Sequence, residues 1–215
     1  MTTGVRPPDV DTVDETVTIG DRVLSVVRPR SGQVQLGEEA FGNEVVMPYW
    51  AEMWPSGVAL ARGLVGRPLR GVRTLELGCG GLALPSIVAS LGGARVLATD
   101  WSADAVAFAE RNARRSRAPV ETAVCSWAEP DPIESRAPWS LVLAADVLYE
   151  QQAADHLAAL LPRLVGTHGS AWIADPAREP ATRFLEAAAE RFEIETATTD
   201  FDRVLLHRLR PTEAG

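Results

Sequence analysis

Residues 72–100 read VRTLELGCGGLALPSIVASLGGARVLATD and contain a complete strand, helix and strand pattern. The first run, VRTLEL, is short, apolar and rich in strand-favouring residues, whereas LALPSIVASLG has its large apolar side chains at helical spacing. RVLATD then reads as a second strand. Because parallel strands are joined by helical crossovers of this kind, the segment predicts a parallel sheet with helices packed on it.

The same alternation continues towards the C-terminus. Ser102 is expected to cap the helix that follows RVLATD. Strands are predicted at 120–127, 139–149, 169–175, 192–199 and 202–210, and helices at 102–115, 155–165 and 178–192. We therefore predict an α/β fold: a Rossmann-like, doubly wound, seven-stranded sheet that is mostly parallel and has an antiparallel C-terminal strand.

The N-terminal region has a different pattern. Strand-like runs at 15–19 and 22–29 flank the turn residues Gly20 and Asp21, which predicts a small hairpin. Residues 31–43 are rich in Gly and Glu without periodicity, so a loop is expected there. One globular domain is expected overall, with a leader and the hairpin in residues 1–45.

Composition restricts the function classes. The 215 residues carry a formal charge of −8, which repels a polyanion, so a nucleic-acid partner is not expected. Two cysteines, Cys79 and Cys125, do not make a disulfide framework. The chain starts without a basic and apolar leader and has no apolar run of membrane-spanning length. A cytoplasmic protein without a membrane partner is therefore expected; the oligomeric state is left open.

The segment ELGCGG, residues 76–81, lies between the first strand of this region and its helix. Glycines there let a ligand approach the backbone and the amide groups of a helix N-terminus. Asp100 ends the next strand, where a carboxylate can accept hydrogen bonds from both hydroxyls of a ribose. Turn formation is the alternative for the glycines, and strand termination is the alternative for Asp100. Strand termination alone does not explain the flat apolar side chain of Trp101 that follows.

Two residues distinguish the nucleotide classes. A dinucleotide loop needs a third glycine where this chain has Ala83, and the carboxylate of Glu76 would repel a pyrophosphate. Glu76 suits a cationic ligand instead. S-adenosylmethionine, which carries a sulfonium and an ammonium group, fits this requirement.

Four motifs in order, PYWAEMWPSG, LELGCG, LATDWS and ADVLYE, resemble the class I, seven-strand S-adenosylmethionine-dependent methyltransferases. Within them the chain is most similar to the branch of nicotinamide N-methyltransferase-like proteins and protein-lysine methyltransferases. It is particularly similar to the electron-transfer-flavoprotein lysine methyltransferases and their bacterial relatives. The resemblance runs from about residue 15 to the C-terminal strands, and it implies a methyltransferase domain in residues 46–215.

The resemblance implies a set of cofactor contacts. Gly78 and Gly80 would line the methionine part, Asp100 would hold the ribose, and Trp101 and Trp127 would flank the adenine. The expected cofactor-binding residues are Trp54, Ser56, Gly57, Glu76, Gly78, Gly80, Gly81, Asp100, Trp101, Ser126, Trp127 and Ala145. Glu52 could face the cofactor or the substrate.

The chain departs from the family pattern in two places. Ser126 stands where relatives usually have a carboxylate. Which group contacts the adenine amino group is therefore an open question. The glycine loop reads GCGGLALP, one residue longer than the usual GCGLGLP, with Leu82 and Ala83 in it.

Asp146 and Tyr149 in ADVLYE follow a buried strand, where related enzymes place the acceptor beside the methyl group. We expect them to be the catalytic pair: Asp146 orients an amine or amide nitrogen and Tyr149 closes the pocket wall. The alternatives are that Asp146 caps the helix that starts near Gln151 or only orders the loop. For the aromatic residues Tyr49, Trp50 and Trp54, a packing role under the sheet edge is the alternative to a pocket role.

These observations predict an S-adenosylmethionine-dependent N-methyltransferase that acts by direct in-line transfer and releases S-adenosylhomocysteine. A protein lysine is the first acceptor expected; a small-molecule amine and a cofactor-binding module without transfer activity are the alternatives. The three histidines lack ligand spacing, so no metal is expected. The prolines typical of base methyltransferases are absent from ADVLY, which also disfavours a nucleic-acid acceptor.

Overall fold

The structure is a computed structural model and describes residues 10–30 and 49–212. A short 3₁₀ turn, Tyr49–Ala51, precedes the first helix. The strands are β1 Thr12–Ile19, β2 Arg22–Pro29, β3 Arg73–Leu77, β4 Arg95–Asp100, β5 Val120–Val124, β6 Trp139–Ala145, β7 Val165–Asp175, β8 Phe192–Thr198 and β9 Leu205–Pro211. The helices are α1 Pro55–Leu64, α2 Leu84–Leu91, α3 Ala103–Arg115, α4 Asp131–Glu134, α5 Gln151–Leu164 and α6 Glu179–Ala188.

Seven strands form the central sheet in the order β5-β4-β3-β6-β7-β9-β8. The pairs from β5 to β7 are parallel, and β9 runs antiparallel to both β7 and β8. This topology confirms the predicted doubly wound sheet and its antiparallel strand near the C-terminus. Strand order reverses next to β3, and α/β proteins bind ligands at such switch points, outside the carboxyl ends of the strands.

The core has one layer of side chains on each face of the sheet. Alternate residues of β6 show the division: Leu143 packs with the cluster under α1 and α2, whereas Val142 packs with the cluster under α5 and α6. Both residues are at most 1% exposed. The near-continuous apolar sequence of β6 therefore follows from burial of both faces.

The N-terminal hairpin is a separate two-stranded sheet, β1 with β2. Its turn is Gly20 and Asp21, as predicted, and Gly20 has a φ of +61°, which glycine adopts without strain. The hairpin packs on α3 and α1. It thus lies close to the loops at the cofactor edge of the main sheet.

Some boundaries differ from those expected. β5 ends at Val124: Cys125 still donates its N–H to Asp100 O of β4, and Ser126 then opens a turn by accepting from Ala128 N. The helix α5 starts at Gln151 rather than 155, since its first turn is polar and lacks the apolar periodicity that marks the rest. Helix α4, a single turn, was not predicted. The loop expected at 31–43 lies outside the described residues.

Within residues 10–30 and 49–212, every helix is too short or too polar to cross a bilayer.

Candidate active site

The carboxyl ends of β3, β4 and β6 lie side by side at the centre of the sheet. Each strand leads directly into residues singled out from the sequence: Gly78 after β3, Asp100 at the end of β4 and Asp146 after β6. The parallel register therefore brings together three motifs that are far apart in sequence.

Gly78 is the point where three loops meet. Its φ of +65° lies in the left-handed region that favours glycine. A Cβ atom on it would lie 2.8 Å from Val147 Cγ1, after β6, and 3.9 Å from Trp127 Cζ2, after β5. Val147 therefore occupies the space that a side chain at Gly78 would need, so the loop after β6 packs directly on the glycine loop.

The next glycines are held by the segment before α1. Gly81 N donates to Trp50 O at 2.8 Å, and a Cβ on Gly80 would lie 3.3 Å from the same oxygen. A Cβ on Gly81 would lie 3.0 Å from Phe108 Cβ and 3.1 Å from Trp50 Cε3. Protein therefore occupies the space beside Gly81, and this residue could contact a cofactor through its backbone alone.

Asp100 is a buried carboxylate, 6% exposed. Its Oδ2 accepts from Gly80 N at 3.0 Å and its Oδ1 from Ser102 N at 2.9 Å. Burial raises the pKa of Asp100 to about 6, although these backbone hydrogen bonds oppose the shift. Among the residues that the structure describes, Asp100 has no ion pair, and backbone N–H groups are its hydrogen-bond donors. A cationic nucleoside with ribose hydroxyls fits such a group.

Glu76 is the second buried carboxylate, 1% exposed. Its Oε2 accepts from Ser86 N at 2.8 Å, so it braces the start of α2. Burial raises the pKa of Glu76 to about 8; hydrogen bonding by Ser86 opposes the shift and the charge of Asp100 adds to it. With a pKa of about 8, Glu76 is mostly protonated at neutral pH, so the negative charge that favours a cationic ligand such as S-adenosylmethionine comes from Asp100.

The pKa of Asp100 predicts how cofactor binding depends on pH. Only the ionised carboxylate can accept hydrogen bonds with both oxygens and attract a cation, and a pKa near 6 means that it takes up a proton below that pH. Affinity for S-adenosylmethionine should therefore fall about tenfold from pH 7 to pH 5. Titration calorimetry over this range measures the effect.

Asp100→Asn is the matched variant for this prediction, because it keeps the shape and removes the ionisation. We expect it to bind about tenfold more weakly than the unaltered chain at pH 7 and to show a flat profile between pH 5 and pH 7. An unaltered chain whose affinity is constant over that range would contradict the assignment of Asp100.

The aromatic segment before α1 divides between core and surface. Trp50 is buried, and the centroid of its ring lies 5.6 Å from that of Phe108. Trp50 therefore packs in the core, which was the alternative to a pocket role. The ring of Tyr49 lies 6.1 Å from that of Trp54 and 5.9 Å from that of Tyr149. Tyr49 is 51% and Tyr149 44% exposed. We call these three rings the aromatic rim. Tyr149 follows Asp146 closely in sequence, and Tyr49 and Trp54 precede α1.

The remaining predicted contacts are placed as follows. Ser56 is fully buried at the start of α1, and its hydroxyl has no hydrogen-bond partner among the described residues. Trp101 is 56% exposed after β4. Ser126 accepts from Ala128 N at 3.2 Å, which makes it a turn former in its exposed position. Gly57 and Ala145 are half-buried, in α1 and at the end of β6. Their contacts with a cofactor stay predictions.

Asp146 has a constrained position after β6. Its φ is 60°, and its N–H donates to Ala174 O at 2.9 Å. The residue at the start of α5 is Glu150, so the alternative that Asp146 caps this helix is wrong. Its carboxylate lies 2.6 Å from Arg178 Nη1, and the same guanidinium nitrogen lies 3.6 Å from Asp175 Oδ2.

Sequence reasoning missed Arg178, Asp175 and Asn112. Asp175 is the last residue of β7, as Asp100 is the last residue of β4. It could therefore have been found from its place at a strand end. Asn112 lies on the apolar face of α3, where a polar residue indicates a buried network; it is fully buried. Arg178 lies in the connection between β7 and α6 and gave no spacing signal. No group of three or more His, Cys, Asp or Glu side chains in the described ranges could hold a metal ion.

Residues 42–191 match a protein family described as lysine methyltransferase. The chain belongs to this lysine methyltransferase family. Membership confirms the predicted methyltransferase class and S-adenosylmethionine as its cofactor, and the buried carboxylate of Asp100 fits that cofactor.

Two relatives of the chain share the name electron transfer flavoprotein beta subunit lysine methyltransferase. The chain is 37% identical to that of Xenopus laevis over 161 residues, which cover 66% of this chain and 60% of the relative. It is 36% identical to that of Danio rerio over 138 residues, which cover 61% of this chain and 51% of the relative. The chain thus spans little more than half the length of these relatives.

Among solved structures, the chain is similar to the T. thermophilus 16S rRNA N2 G1207 methyltransferase in complex with AdoMet and guanosine. The TM-score is 0.68 at 14% identity, with 95% of this chain and 52% of the other covered. At that identity the likeness concerns the fold alone.

Proposed function

We propose that this chain transfers a methyl group from S-adenosylmethionine to the ε-amine of a lysine in a protein. The observation that carries the proposal is the close packing of Val147 against Gly78, which sets the ADVLYE loop beside the glycine loop of a domain in the lysine methyltransferase family. Asp146 and Tyr149, two of the three polar residues of that loop, thereby lie near the glycine loop.

On this proposal, the residues of the glycine loop and Asp100 bind the donor. The main chain at Gly78 and Gly80 would line the methionine part, Asp100 accepts from the ribose, and the buried charge of Asp100 favours a cationic ligand. When bound, S-adenosylmethionine supplies an activated methyl group and a good leaving group. The protein has to align the acceptor and exclude water.

Asp146 would orient the acceptor. Its carboxylate can accept a hydrogen bond from the amine and hold the nitrogen lone pair in line with the methyl group. The pairing with Arg178 and the bond of its N–H to Ala174 O fix it against β7. Tyr149, the wall residue, is close to Tyr49, and both rings can pack on the alkyl chain of a lysine or its cationic head.

The exposure of the aromatic rim favours a protein acceptor over a small amine. Tyr49 and Tyr149 present about half of their surface to solvent, and Trp101 is also exposed. A small-molecule pocket usually buries most of its ligand, whereas a lysine enters from a protein surface and needs an open mouth. The names of the two relatives make the electron transfer flavoprotein beta subunit the first acceptor to test.

Mass spectrometry tests the proposal. We expect that incubation of the chain with S-adenosylmethionine carrying a deuterated methyl group and the Xenopus laevis electron transfer flavoprotein beta subunit labels lysine residues of that subunit. Because the chain contains no lysine, a labelled lysine cannot come from the enzyme. S-adenosylhomocysteine release without label in any protein would instead indicate a small acceptor, and tight binding without release would indicate a binding module.

Asp100→Ala at the same concentration is the control, because it removes the ribose contact without changing the acceptor residues. Label that persists at the same rate in this variant would come from a contaminating enzyme. We also propose a cytoplasmic location, supported by two free, buried cysteines, and one globular unit in which residues 46–215 form the catalytic domain.

A further inference from the structure

Three charged side chains lie together between β6 and α6. Asp146 follows β6, Asp175 ends β7, and Arg178 precedes α6. Arg178 Nη1 lies 2.6 Å from Asp146 Oδ1 and 3.6 Å from Asp175 Oδ2. The Arg178 side chain is 34% exposed, whereas those of Asp146 and Asp175 are 9% and 0% exposed. One guanidinium therefore lies between two carboxylates that are largely shielded from water.

The backbone fixes this arrangement. Arg178 N donates to Asp175 Oδ1 at 3.1 Å, so the arginine is anchored to the end of β7 at its main chain. Neither Asp175 Oδ2 nor Arg178 Nη1 has a hydrogen-bond partner among the described residues, so Arg178 contacts Asp175 and Asp146 through ion pairs without a hydrogen bond. Burial raises the pKa of Asp175, and the N–H and the charge of Arg178 oppose that shift.

The net charge of Asp146, Asp175 and Arg178 affects the protonation of the proposed acceptor amine. With both carboxylates ionised, the three side chains carry a net charge of −1; without Arg178 they would carry −2. Negative charge near a lysine stabilises its ammonium form, which has no lone pair for attack. A cation paired with Asp146 reduces that effect, so the acceptor nitrogen loses its proton more readily.

We propose that Arg178 is a positioning residue that holds the Asp146 carboxylate at the acceptor subsite and halves the negative charge that an acceptor amine meets there. This inference rests on the proposed function, because it assigns a task to Arg178 only if an amine is the acceptor. Other titratable groups at this edge are Tyr149, Glu150, Tyr49 and Asp100, which interact electrostatically around the Tyr149 hydroxyl. None of these carries a positive charge, so Arg178 supplies the cation of this group.

The test measures the pH dependence of transfer within the bound complex. Single-turnover rates are recorded from pH 6 to pH 10 with enzyme and S-adenosylmethionine in excess over the Xenopus laevis electron transfer flavoprotein beta subunit. The midpoint of the rise in rate then reports deprotonation of the bound acceptor. Arg178→Met should raise this midpoint by at least about 0.5 pH units, because it removes the cation. Asp175→Asn should lower it, because it removes a buried negative charge.

Arg183→Met is the matched control. It makes the same substitution in the following helix at a side chain that is 58% exposed and pairs with Glu179, and it should leave the midpoint unchanged. A merely structural role of Arg178 would lower rates without moving the two midpoints in opposite directions. If melting curves show that Arg178→Met does not fold, the midpoint measured for Asp175→Asn is the test of the inference.

The outcomes distinguish a failure of the inference about Arg178 from a failure of the proposed function. An Arg178→Met midpoint within about 0.2 pH units of the unaltered chain would overturn this inference alone, because methyl transfer would still take place. No transfer by the unaltered chain to this acceptor would overturn the inference together with the proposed function.

Discussion

Replacing Asp146 by asparagine is expected to lower the methyl-transfer rate by about a thousandfold, since the loss of acceptor orientation and of a proton-accepting group act together. Affinity for S-adenosylmethionine should stay within a few-fold, because Asp100 and the glycine loop hold the donor. Asparagine is the variant of choice: at a φ of 60° it is tolerated, whereas alanine would add backbone strain. Single-turnover transfer and calorimetry measure the two quantities.

Asp155→Asn is the control for this prediction. Asp155 is an exposed carboxylate on α5 that accepts from Gln151, so the same chemical change there should leave transfer unaffected. If Asp146→Asn kept more than about a tenth of the transfer rate, the residue would have no part in orienting the acceptor.

Asn112→Ala is expected to destabilise the fold by about 3 kcal/mol or more, because it leaves several buried backbone groups without partners. The fully buried amide accepts from Val27 N at 2.7 Å and donates to Val27 O and Gly81 O, both at 2.8 Å. It therefore joins the hairpin, α3 and the glycine loop. Urea unfolding measures the loss, and cofactor affinity should fall with it because the carbonyl of Gly81 is released.

Arg114→Ala on the same helix is the comparison. This arginine is exposed and pairs with Glu110 one turn away, an interaction worth about 0.5 kcal/mol or less. A loss below about 1 kcal/mol in Asn112→Ala would show that water or a rearranged loop satisfies the three backbone groups.

The fold could be predicted from local patterns because each strand of the main sheet is either bounded by turn residues or buried on both faces. VRTLEL and RVLATD became β3 and β4, and Ser102 caps α3 with a side-chain bond to Ala105 N. Boundaries were less predictable where a side-chain hydrogen bond decides them, as at Ser126, which opens a turn after β5 by accepting from Ala128 N.

Asp100 was singled out because it ends a strand, and Asp146 because it belongs to the ADVLYE motif that resembles the family; the contacts of both with ligands stay predictions. Arg178 could not be found in this way, since its place beside Asp146 depends on how the connection after β7 folds back, with Ala177 at a φ of 60°. The aromatic segment was predicted as a unit, yet Trp50 packs in the core while Tyr49 faces solvent.

The position of β9 has a consequence for how the molecule is made. β8 forms one edge of the sheet and pairs with β9, and β9, although later in the chain, pairs with β7. During synthesis β8 thus leaves the ribosome before the strand that can attach it. Until then β7 presents an open edge, and such edges invite pairing with other nascent chains.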